Sequence, residues 1–467
     1  MLNRTSKADV DRARREELMS ELIDVETREV SMSVLADREV YDLEMKHIFA
    51  KTWLMLAHQT EIPESGDYVV RDMGEDQVIV GRTSDGAIHV SLNICPHRGM
   101  RICMGDAGNA AVHRCIYHGW AFRPDGSFIG APVEREQMHG DIRQKSELGL
   151  RKARVAIYGG MIFATWSEEA PEFEVYLGDM KFYLDMLFCR TDNGLEVLGP
   201  PQRVMVSANW KTAGEQNASD GFHTLTLHRS LMEIGQFGSN ADDIYSNAPA
   251  MYGIDVASDE GHTLRCIPAE QTFSLAMGSG VDSMTPEERL KILPPPGITP
   301  QLLPQLQKHL SPEQMRLMAL SPPQVGNIFP NLAVLFLYAP GRDYTFVGAL
   351  AVHTFVPRGP EKFEFYTWFF AEKDVSEEKK RAMRAAGIYN VGTTGTIEQD
   401  DSDTWPHMTH NAKGVIGREQ TLKYQALTGH NKPEGWPGGG YVYDGFTKDD
   451  TQWMWWLAYR RMMLGEN

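Results

Sequence analysis

The feature that most constrains this chain is a pair of short segments that each combine one cysteine with one histidine. The pattern is C-x-H, then 17 residues, then C-x-x-H, and its four residues are Cys95, His97, Cys115 and His118. A [2Fe–2S] centre with two cysteines on one iron and two histidines on the other requires this mixed set. A glycine follows closely in each segment, so we expect two short loops on a β scaffold.

A structural zinc site is the alternative, because two cysteines and two histidines also suit tetrahedral zinc. Zinc fingers usually pair cysteine with cysteine and histidine with histidine, whereas this chain alternates the two types in separated segments. The spacing therefore favours the iron–sulfur centre. The remaining cysteines, Cys103, Cys189 and Cys266, are interpreted as buried thiols rather than ligands.

Length and charge narrow the class of protein further. A chain of 467 residues exceeds the size at which one hydrophobic core usually keeps growing, so two domains are expected. A formal net charge of −17 argues against a nucleic-acid-binding protein, which normally presents a basic face. No apolar run approaches the length of a membrane span, and the amino terminus lacks the apolar core of a signal peptide. We therefore expect a cytoplasmic protein with no membrane contact.

The sequence predicts three regions and an α+β fold. Residues 1–45 are typical of N-terminal helices, which we expect to pack on the larger domain. Residues 46–170 predict an all-β module, because short β-branched runs alternate there with glycine turns. Residues 171–467 predict a larger domain in which long strands and helices both occur.

Several helix boundaries can also be predicted from local patterns. Apolar residues at helical spacing favour a helix over residues 8–30 and another from about Ser376 through an acidic segment to near Trp405. The segments Thr285-Pro286 and Ser311-Pro312 each place a capping residue before a proline, which is typical of a helix start.

A second group of metal-binding residue types, Asp220, His223 and His228, follows in the larger region. On a regular helix the five-residue step between the two histidines turns through roughly 500°, so their rings diverge by about 140°. Both rings can reach one metal only if the helix loosens or ends between them. Two histidines and one carboxylate form the facial triad of non-haem iron, which leaves positions open for dioxygen.

The carboxylate must come from elsewhere in the chain. The segment from Glu398 to Asp403 holds four acids in six residues and is the best candidate. A solvated helix face is the alternative interpretation of this charge run, and two histidines with ordinary structural hydrogen bonds are the alternative for His223 and His228. Their presence beside the cysteine–histidine pattern in one chain favours the metal site.

Together these motifs resemble the large (α) subunit of aromatic-ring-hydroxylating dioxygenases of the naphthalene and polycyclic type. The resemblance covers most of the chain. It implies an all-β Rieske [2Fe–2S] domain and a larger catalytic domain with an antiparallel sheet flanked by helices, a helix-grip or START-like fold. It also implies one Rieske-type cluster and one Fe(II) per chain. By this resemblance Cys95 and Cys115 would hold the buried cluster iron, while His97 and His118 would hold the outer one.

The resemblance also implies roles for the second group. His223, His228 and Asp401 would be the ligands of the mononuclear iron, although Asp400 stays open as the carboxylate. Asp220 matches a bridging aspartate that links a cluster histidine of the neighbouring subunit to His223, and it would complete a hydrogen-bonded route for electrons.

Two positions depart from the family pattern. Gln216 stands where many relatives have an asparagine close to the iron, and we assign it no ligand role. Phe222 replaces a common tyrosine, which keeps the aromatic ring and loses the hydroxyl group.

The function implied by the resemblance is that of a terminal oxygenase component. It would use dioxygen and electrons relayed from NAD(P)H to convert an aromatic hydrocarbon to a cis-dihydrodiol. The chain has no G-x-G-x-x-G motif after a strand, so the electrons are expected from separate proteins, a ferredoxin or a reductase. The resemblance further implies a trimer of this subunit and an α3β3 assembly with a small β subunit.

Other functions remain open from the sequence. An aromatic carboxylate as substrate would require a cation in the pocket, for which Arg203, Arg229 and Arg342 are candidates. A Rieske monooxygenase or demethylase is the nearest alternative within the enzyme class. Outside that class, the alternatives are an electron-transfer protein with iron only at the cluster and a zinc-stabilised binding module.

Overall fold

The computed structural model describes residues 7–132, 144–233, 253–269, 283–338, 347–426, 428–429, 432–445 and 447–466. Contacts within the chain form two compact units, residues 49–173 and residues 1–48 together with 174–467. No helix in the described ranges is long and apolar enough to cross a membrane.

The smaller unit is built from short antiparallel strands. Its described residues form sheets of three, four and three strands. The strands are Leu54–His58, Asp67–Met73, Asp76–Arg82, Ile88–Leu92, Ala107–Asn109, His113–Arg114, Ala121–Phe122, Phe128–Gly130, Arg154–Tyr158 and Met161–Thr165. Single 3-10 turns occur at Gln59–Glu61 and Lys145–Glu147. Successive β-branched residues such as Val78 and Ile79 are buried in these strands, as the all-β prediction requires.

A hydrophobic cluster in this unit encloses two of the predicted cluster ligands. Cys95 and Cys115 are buried among apolar side chains that include Val70, Ile79 and Trp120. The residue after Val70, Arg71, is also buried. It donates to the carbonyl of Leu56 (3.1 Å) and to the carboxylate of Glu61. An acid and a carbonyl as partners offset part of the large desolvation cost of a buried cation.

The larger unit contains a nine-stranded antiparallel sheet. Its strands lie in the order Leu195–Val197, Phe363–Glu372, Ala349–Pro357, Leu332–Leu337, Pro323–Ile328, Thr263–Cys266, Ile254–Ala257 and Tyr441–Asp444, with Gln202–Val206 also paired to Phe363–Glu372. The two longest strands are buried along nearly their whole length. A strand covered on both faces is expected to read as a continuous apolar run, as these two do. A separate three-stranded sheet consists of Ile23–Asp24, Glu29–Ser31 and Thr421–Lys423.

Helices precede, separate and follow these strands along the chain. The starts of two of these helices were predicted correctly. The α-helices are Lys7–Leu22, Arg38–Glu44, Phe173–Leu177, Met180–Phe188, Trp210–Gln216, Phe222–Thr226, Arg229–Glu233, Pro286–Ile292, Leu303–His309, Pro312–Leu320, Glu377–Val391, Glu398–Ala412 and Asp450–Leu464. A π-helical segment lies at Met45–Phe49, and single 3-10 turns lie at Met32–Leu35 and Gly417–Glu419. Thr285 and Ser311 both form complete capping boxes, which satisfy the free N–H groups of the first turn.

The helix predicted over residues 8–30 was wrong over its last third, residues 23–30. It ends at Leu22, and the next residues form a strand in which Ile23 pairs with Val30. The side chain of Asp24 accepts hydrogen bonds from the N–H groups of Glu26 (2.9 Å) and Thr27 (3.1 Å). Aspartate offers the backbone such local bonds in place of helical ones, so a turn replaces the helix here.

The long helix predicted from Ser376 to Trp405 is two helices separated by residues 392–397. Two glycines, Gly392 and Gly395, lie in the break, and Gly395 donates to the carbonyl of Gly392 (2.7 Å). Glycine is a poor helix former, which explains the interruption. The second helix then restarts with Asp401 and Trp405 on its buried face.

A buried polar network fixes the helix that precedes the two histidines. Glu44 is fully buried and accepts hydrogen bonds from Trp210 (2.8 Å), Lys211 (2.5 Å) and Tyr459 (2.6 Å). One carboxylate therefore joins the N-terminal segment, the helix that begins at Trp210 and the C-terminal helix. Removal of one partner would leave a buried charge unpaired, which is strongly unfavourable. The network therefore holds these three elements together.

A prediction about stability concerns His262, whose side chain is fully buried. Burial disfavours the charged ring and lowers the pKa of His262 to about 4. Its Nε2 donates to the carbonyl of Tyr176 (2.7 Å) and its Nδ1 accepts from the N–H of Phe329 (3.0 Å), so the neutral ring is required. As pH falls, His262 of the unfolded protein takes up a proton at a higher pH than the buried ring does, so the folded state loses stability. We expect wild-type protein to lose about 2 kcal/mol of stability between pH 7 and pH 5 relative to His262→Gln.

Calorimetry of both proteins across this pH range measures the difference. Glutamine keeps one donor and one acceptor and does not titrate, so it is the matched control. A difference in melting temperature that does not change with pH would contradict the assignment of a neutral, buried ring.

Candidate metal centres

The four residues of the first motif lie on two loops of the same form. Cys95 donates its N–H to the carbonyl of Met100, and Cys115 donates to the carbonyl of Trp120, both at 2.8 Å. Each loop then turns through a glycine of positive φ, 74° at Gly99 and 73° at Gly119. Only glycine adopts this backbone conformation without steric cost, which explains the glycine in each motif.

The loops bring the two histidines together. The ring centroids of His97 and His118 are 4.5 Å apart, and His97 stacks on Trp120 at 4.9 Å. Cys95 and Cys115 are buried, whereas both histidines are partly exposed. Burial raises the pKa of the Cys95 thiol to about 11, so a bound cation is needed to hold its thiolate form. The donor set and its burial fit a cluster with its cysteine iron inside and its histidine iron near the surface.

Cys103 has a different partner. Its Sγ lies 3.3 Å from Nδ1 of His113, and both residues are buried. Burial raises the pKa of this thiol to about 11. Cys266 is also buried and Cys189 is half-buried, and the geometry assigns none of the three to the loops that carry His97 and His118.

The helix does end between the two histidines of the second group, as their spacing requires. The helix Phe222–Thr226 carries His223, and a separate helix begins at Arg229, so His228 lies at the junction. The ring centroids of His223 and His228 are consequently only 5.1 Å apart. The break in the helix lets two residues five positions apart face one point.

A carboxylate oxygen lies beside the Nδ1 atom of each of these rings. Asp220 Oδ2 lies 3.1 Å from Nδ1 of His223, and Asp400 Oδ2 lies 3.2 Å from Nδ1 of His228. Such a carboxylate fixes the tautomer and the orientation of an imidazole and leaves Nε2 for a metal. Asp220 also accepts from the N–H of Phe222 (2.8 Å), which orients its side chain.

The free Nε2 atoms point toward Asp401. Its Oδ1 lies 3.8 Å from Nε2 of His223 and 3.5 Å from Nε2 of His228. One ligand atom from each of these three residues lies within 4.8 Å of the others. Two imidazoles and one carboxylate with this convergence fit a mononuclear iron of the facial-triad type.

The electrostatics of the group favour a bound cation. Burial raises the pKa of Asp401, although the charges of His223 and His228 and a hydrogen bond from Gln216 oppose that rise. Burial also opposes the ionisation of Asp220, but its interactions with His223, the charge of Arg265 and the N–H of Phe222 together outweigh burial, so the pKa of Asp220 is lowered. Ionised acids in a largely buried place need a positive partner, which a metal ion supplies.

The backbone just before Asp220 is held in an unusual conformation. Ser219 is fully buried and has a φ of 70°, a left-handed value that non-glycine residues rarely adopt. Its carbonyl accepts a hydrogen bond from Arg265, which is buried and also donates to Asp255 (3.2 Å). These contacts stabilise the turn that directs Asp220 to His223.

The contacts of two residues named from the sequence were not predicted from it. Asp400 was open as a ligand, but it contacts the outer nitrogen of His228 and not the face where Asp401 lies. Gln216 donates to Asp401 (2.6 Å) and accepts from the indole N–H of Trp405 (2.6 Å). The run of adjacent acids was the sequence signal for Asp400. The family resemblance marked position 216, but no local pattern indicates its contacts with Asp401 and Trp405.

Comparison with known proteins gives the class. The Rieske [2Fe-2S] domain family matches residues 52–152, and the family of the ring hydroxylating alpha subunit (catalytic domain) matches residues 173–431. The chain therefore belongs to the ring-hydroxylating alpha subunits, which are Rieske non-haem iron oxygenases. It carries a Rieske-type [2Fe–2S] domain and a catalytic domain of the kind that binds non-haem Fe(II).

Individual relatives agree with this class along almost the whole chain. The alpha subunit of biphenyl dioxygenase from Paraburkholderia xenovorans is 34% identical over 435 residues, which are 90% of this chain and 89% of that one. The alpha subunit of N,N-dimethyl phenylurea N-demethylase from Sphingobium sp. is 33% identical over 394 residues, 83% of this chain and 81% of that one. The crystal structure of naphthalene 1,2-dioxygenase from Rhodococcus sp. bound to indole superimposes with a TM-score of 0.82 at 32% identity, over 99% of both chains. The α+β fold expected from the sequence is thereby confirmed.

A prediction follows for the turn at Ser219. Glycine adopts a φ of 70° freely, so Ser219→Gly should retain both stability and mononuclear iron. A β-branched side chain at this φ is strained and has no room in the buried turn, so Ser219→Val should cost about 1–3 kcal/mol and lose iron. Thermal unfolding and iron analysis of the two variants test this, and equal behaviour of glycine and valine would contradict the role of the turn.

Proposed function

We propose that this chain is the terminal oxygenase component for cis-dihydroxylation of an aromatic hydrocarbon. The observation that carries the proposal is the convergence of His223 and His228 on Asp401 with both outer nitrogens held by carboxylates. An electron carrier has no use for such a group in a second domain. A zinc-stabilised binding module is equally disfavoured by it, because a facial triad leaves positions open.

The residues of each centre receive the following roles in this proposal. Cys95, His97, Cys115 and His118 ligate the [2Fe–2S] cluster, and His223, His228 and Asp401 ligate one Fe(II) per chain. When bound, a ferrous ion in such a triad supplies the capacity to activate dioxygen beside the substrate. We propose the domain limits 46–170 for the cluster domain and 171–467 for the catalytic domain, with residues 1–45 packed on the latter.

Asp220 is proposed as the bridging residue for electrons. One of its oxygens contacts Nδ1 of His223, while 28% of its side chain remains exposed. An exposed carboxylate edge can accept a second hydrogen bond from an imidazole N–H of a neighbouring subunit's cluster domain. Asp220 would then orient one ring on each side, as outer-shell carboxylates do.

The choice of a hydrocarbon over a carboxylate rests on the pairing of cations. Arg203 and Arg229, two candidates for a pocket cation, form ion pairs with Glu364 and Glu233 and are substantially exposed. The third candidate, Arg342, lies outside the described residues. Three buried cations deeper in the fold are also engaged, in the pairs Arg190–Glu372, Lys211–Glu44 and Arg265–Asp255. These pairs leave no charge from the named cations for a carboxylate substrate.

The proposed partners follow from the class. As an alpha subunit of a multicomponent oxygenase, the chain requires dioxygen, an aromatic substrate and a supply of electrons. We propose a ferredoxin or a reductase as the electron donor, with NAD(P)H as the source, and an α3 or α3β3 assembly in which neighbouring subunits pair their centres. The contact between Asp220 and a cluster histidine would occur across that interface.

A demethylase is the second candidate function. The relative named N,N-dimethyl phenylurea N-demethylase is almost as similar to this chain as the biphenyl dioxygenase. Both reactions use the same type of iron site, so the difference depends on how the substrate lies in the pocket.

Labelled dioxygen separates the two functions. The reconstituted system is supplied with biphenyl, naphthalene, benzoate and N,N-dimethyl phenylurea under ¹⁸O₂, and the products are analysed by mass spectrometry. We expect both labelled atoms in a cis-dihydrodiol from a hydrocarbon. Oxidation of benzoate alone, or one labelled atom with loss of a methyl group from the phenylurea alone, would contradict the proposal in favour of the corresponding alternative.

The bridge is tested with Asp220→Asn, which keeps size and removes charge. Because the amide cannot accept on both oxygens, we expect both metal centres to remain occupied while oxidation of the reduced cluster in a single turnover slows about 10- to 100-fold. Stopped-flow absorbance at the cluster bands measures that rate. A wild-type rate would remove Asp220 from the electron route.

A further inference from the structure

Gln216 links a proposed iron ligand to a buried tryptophan. Its Nε2 donates to Oδ1 of Asp401 and its Oε1 accepts from the indole N–H of Trp405, both at 2.6 Å. An indole N–H can only donate a hydrogen bond, so the amide oxygen must face Trp405 and the amide nitrogen must face Asp401. The orientation of the amide is therefore determined by chemistry.

Trp405 is a firm anchor for this amide. It is fully buried, and its ring contacts Phe355, Phe363 and Phe365 at centroid distances of 6.1, 5.8 and 6.1 Å. A large ring enclosed by other rings has few alternative rotamers. The N–H of this indole is thus presented to Gln216 at a defined place.

The oxygen that Gln216 contacts is the one turned to the histidines. Oδ1 of Asp401 lies 3.5 and 3.8 Å from the two Nε2 atoms and accepts the amide N–H at the same time. The terminal torsion of an aspartate is broad, so the carboxylate would rotate easily without such a donor. The amide fixes that torsion.

A further contact joins the same two helices. The N–H of Asn209, which caps the helix Trp210–Gln216, donates to Oγ1 of Thr409 in the helix Glu398–Ala412 (2.8 Å). The helix of Gln216 is therefore bound to the helix of Asp401 at both ends, and the distance that the amide spans is set by the fold.

We propose that Gln216 and Trp405 form a positioning pair that holds Oδ1 of Asp401 toward the two histidines and so strengthens iron binding. The inference rests on the proposed ligand role of Asp401 and adds to it a determinant of affinity. The length of the glutamine side chain is part of this arrangement. Asparagine is shorter by one methylene, about 1.5 Å, and cannot maintain both hydrogen bonds from the same backbone position.

Cobalt binding tests the pair without turnover. Full-length protein with its cluster intact and its mononuclear iron removed is titrated anaerobically with Co(II), and visible absorbance reports both affinity and ligand field. Trp405→Phe removes the donor and keeps a buried ring, while Gln216→Met keeps the chain length and removes both hydrogen bonds. We expect each variant to bind Co(II) about 10- to 100-fold more weakly, the usual cost of losing a contact behind a ligand.

A matched control is available in Trp455. Its indole nitrogen is buried and has no hydrogen-bond partner among the residues that the structure describes, and its ring packs against Trp210 and Phe329. Trp455→Phe should therefore loosen the core to a similar degree and leave the Co(II) affinity and spectrum unchanged.

The outcomes separate this inference from the function on which it rests. Wild-type affinity in both Trp405→Phe and Gln216→Met would overturn the positioning pair, and so would an equal loss in Trp455→Phe. Loss of Co(II) binding in His228→Ala would support the assignment of the iron site, whichever result the Trp405 and Gln216 variants give. Retention of wild-type affinity in His228→Ala would overturn the iron site and the positioning pair together.

Discussion

The pairing of each imidazole with a carboxylate behind it is the interaction on which the catalytic unit depends. An imidazole can rotate and can carry its proton on either nitrogen, so a metal site requires both to be fixed. Asp220, three residues before His223, does this for His223, and Asp400, in the helix Glu398–Ala412, does it for His228. The consequence is that both Nε2 atoms face Asp401.

That arrangement concentrates acids at one place, and a cation must compensate for them. Asp220, Asp400 and Asp401 lie within contact of two histidines, and Glu398 is buried one turn before Asp401 on the same helix. Burial and the charge of Asp401 raise the pKa of Glu398. Acids so close together repel one another, and a bound divalent cation would offset that repulsion.

The fold supplies this geometry through two interruptions of helices. The break between Thr226 and Arg229 turns His228 to the side of His223. The break at residues 392–397 lets the helix that carries Asp401 begin afresh, and the contacts of Gln216 and Thr409 bind that helix to the one before the histidines. Local irregularity in the chain is therefore what makes the metal centre compact.

The sequence predicted the parts that depend on residue type and spacing. The cysteine–histidine loops, the two capped helix starts and the need for a helix break after His223 all follow from local rules. It predicted helix ends poorly where a side chain such as Asp24 or a pair of glycines diverts the backbone. Contacts between distant segments, such as Gln216 with Trp405, leave no periodic trace in a single sequence and required the structure.

Iron analysis of His223→Ala beside wild-type protein tests the central claim most directly, with the cluster quantified independently from its visible spectrum. A chain with one two-iron cluster and one mononuclear site should hold three irons. The account predicts two irons in the variant with an unchanged cluster spectrum. Three irons per chain in the variant would contradict the assignment of His223 as a ligand and with it the proposed iron site.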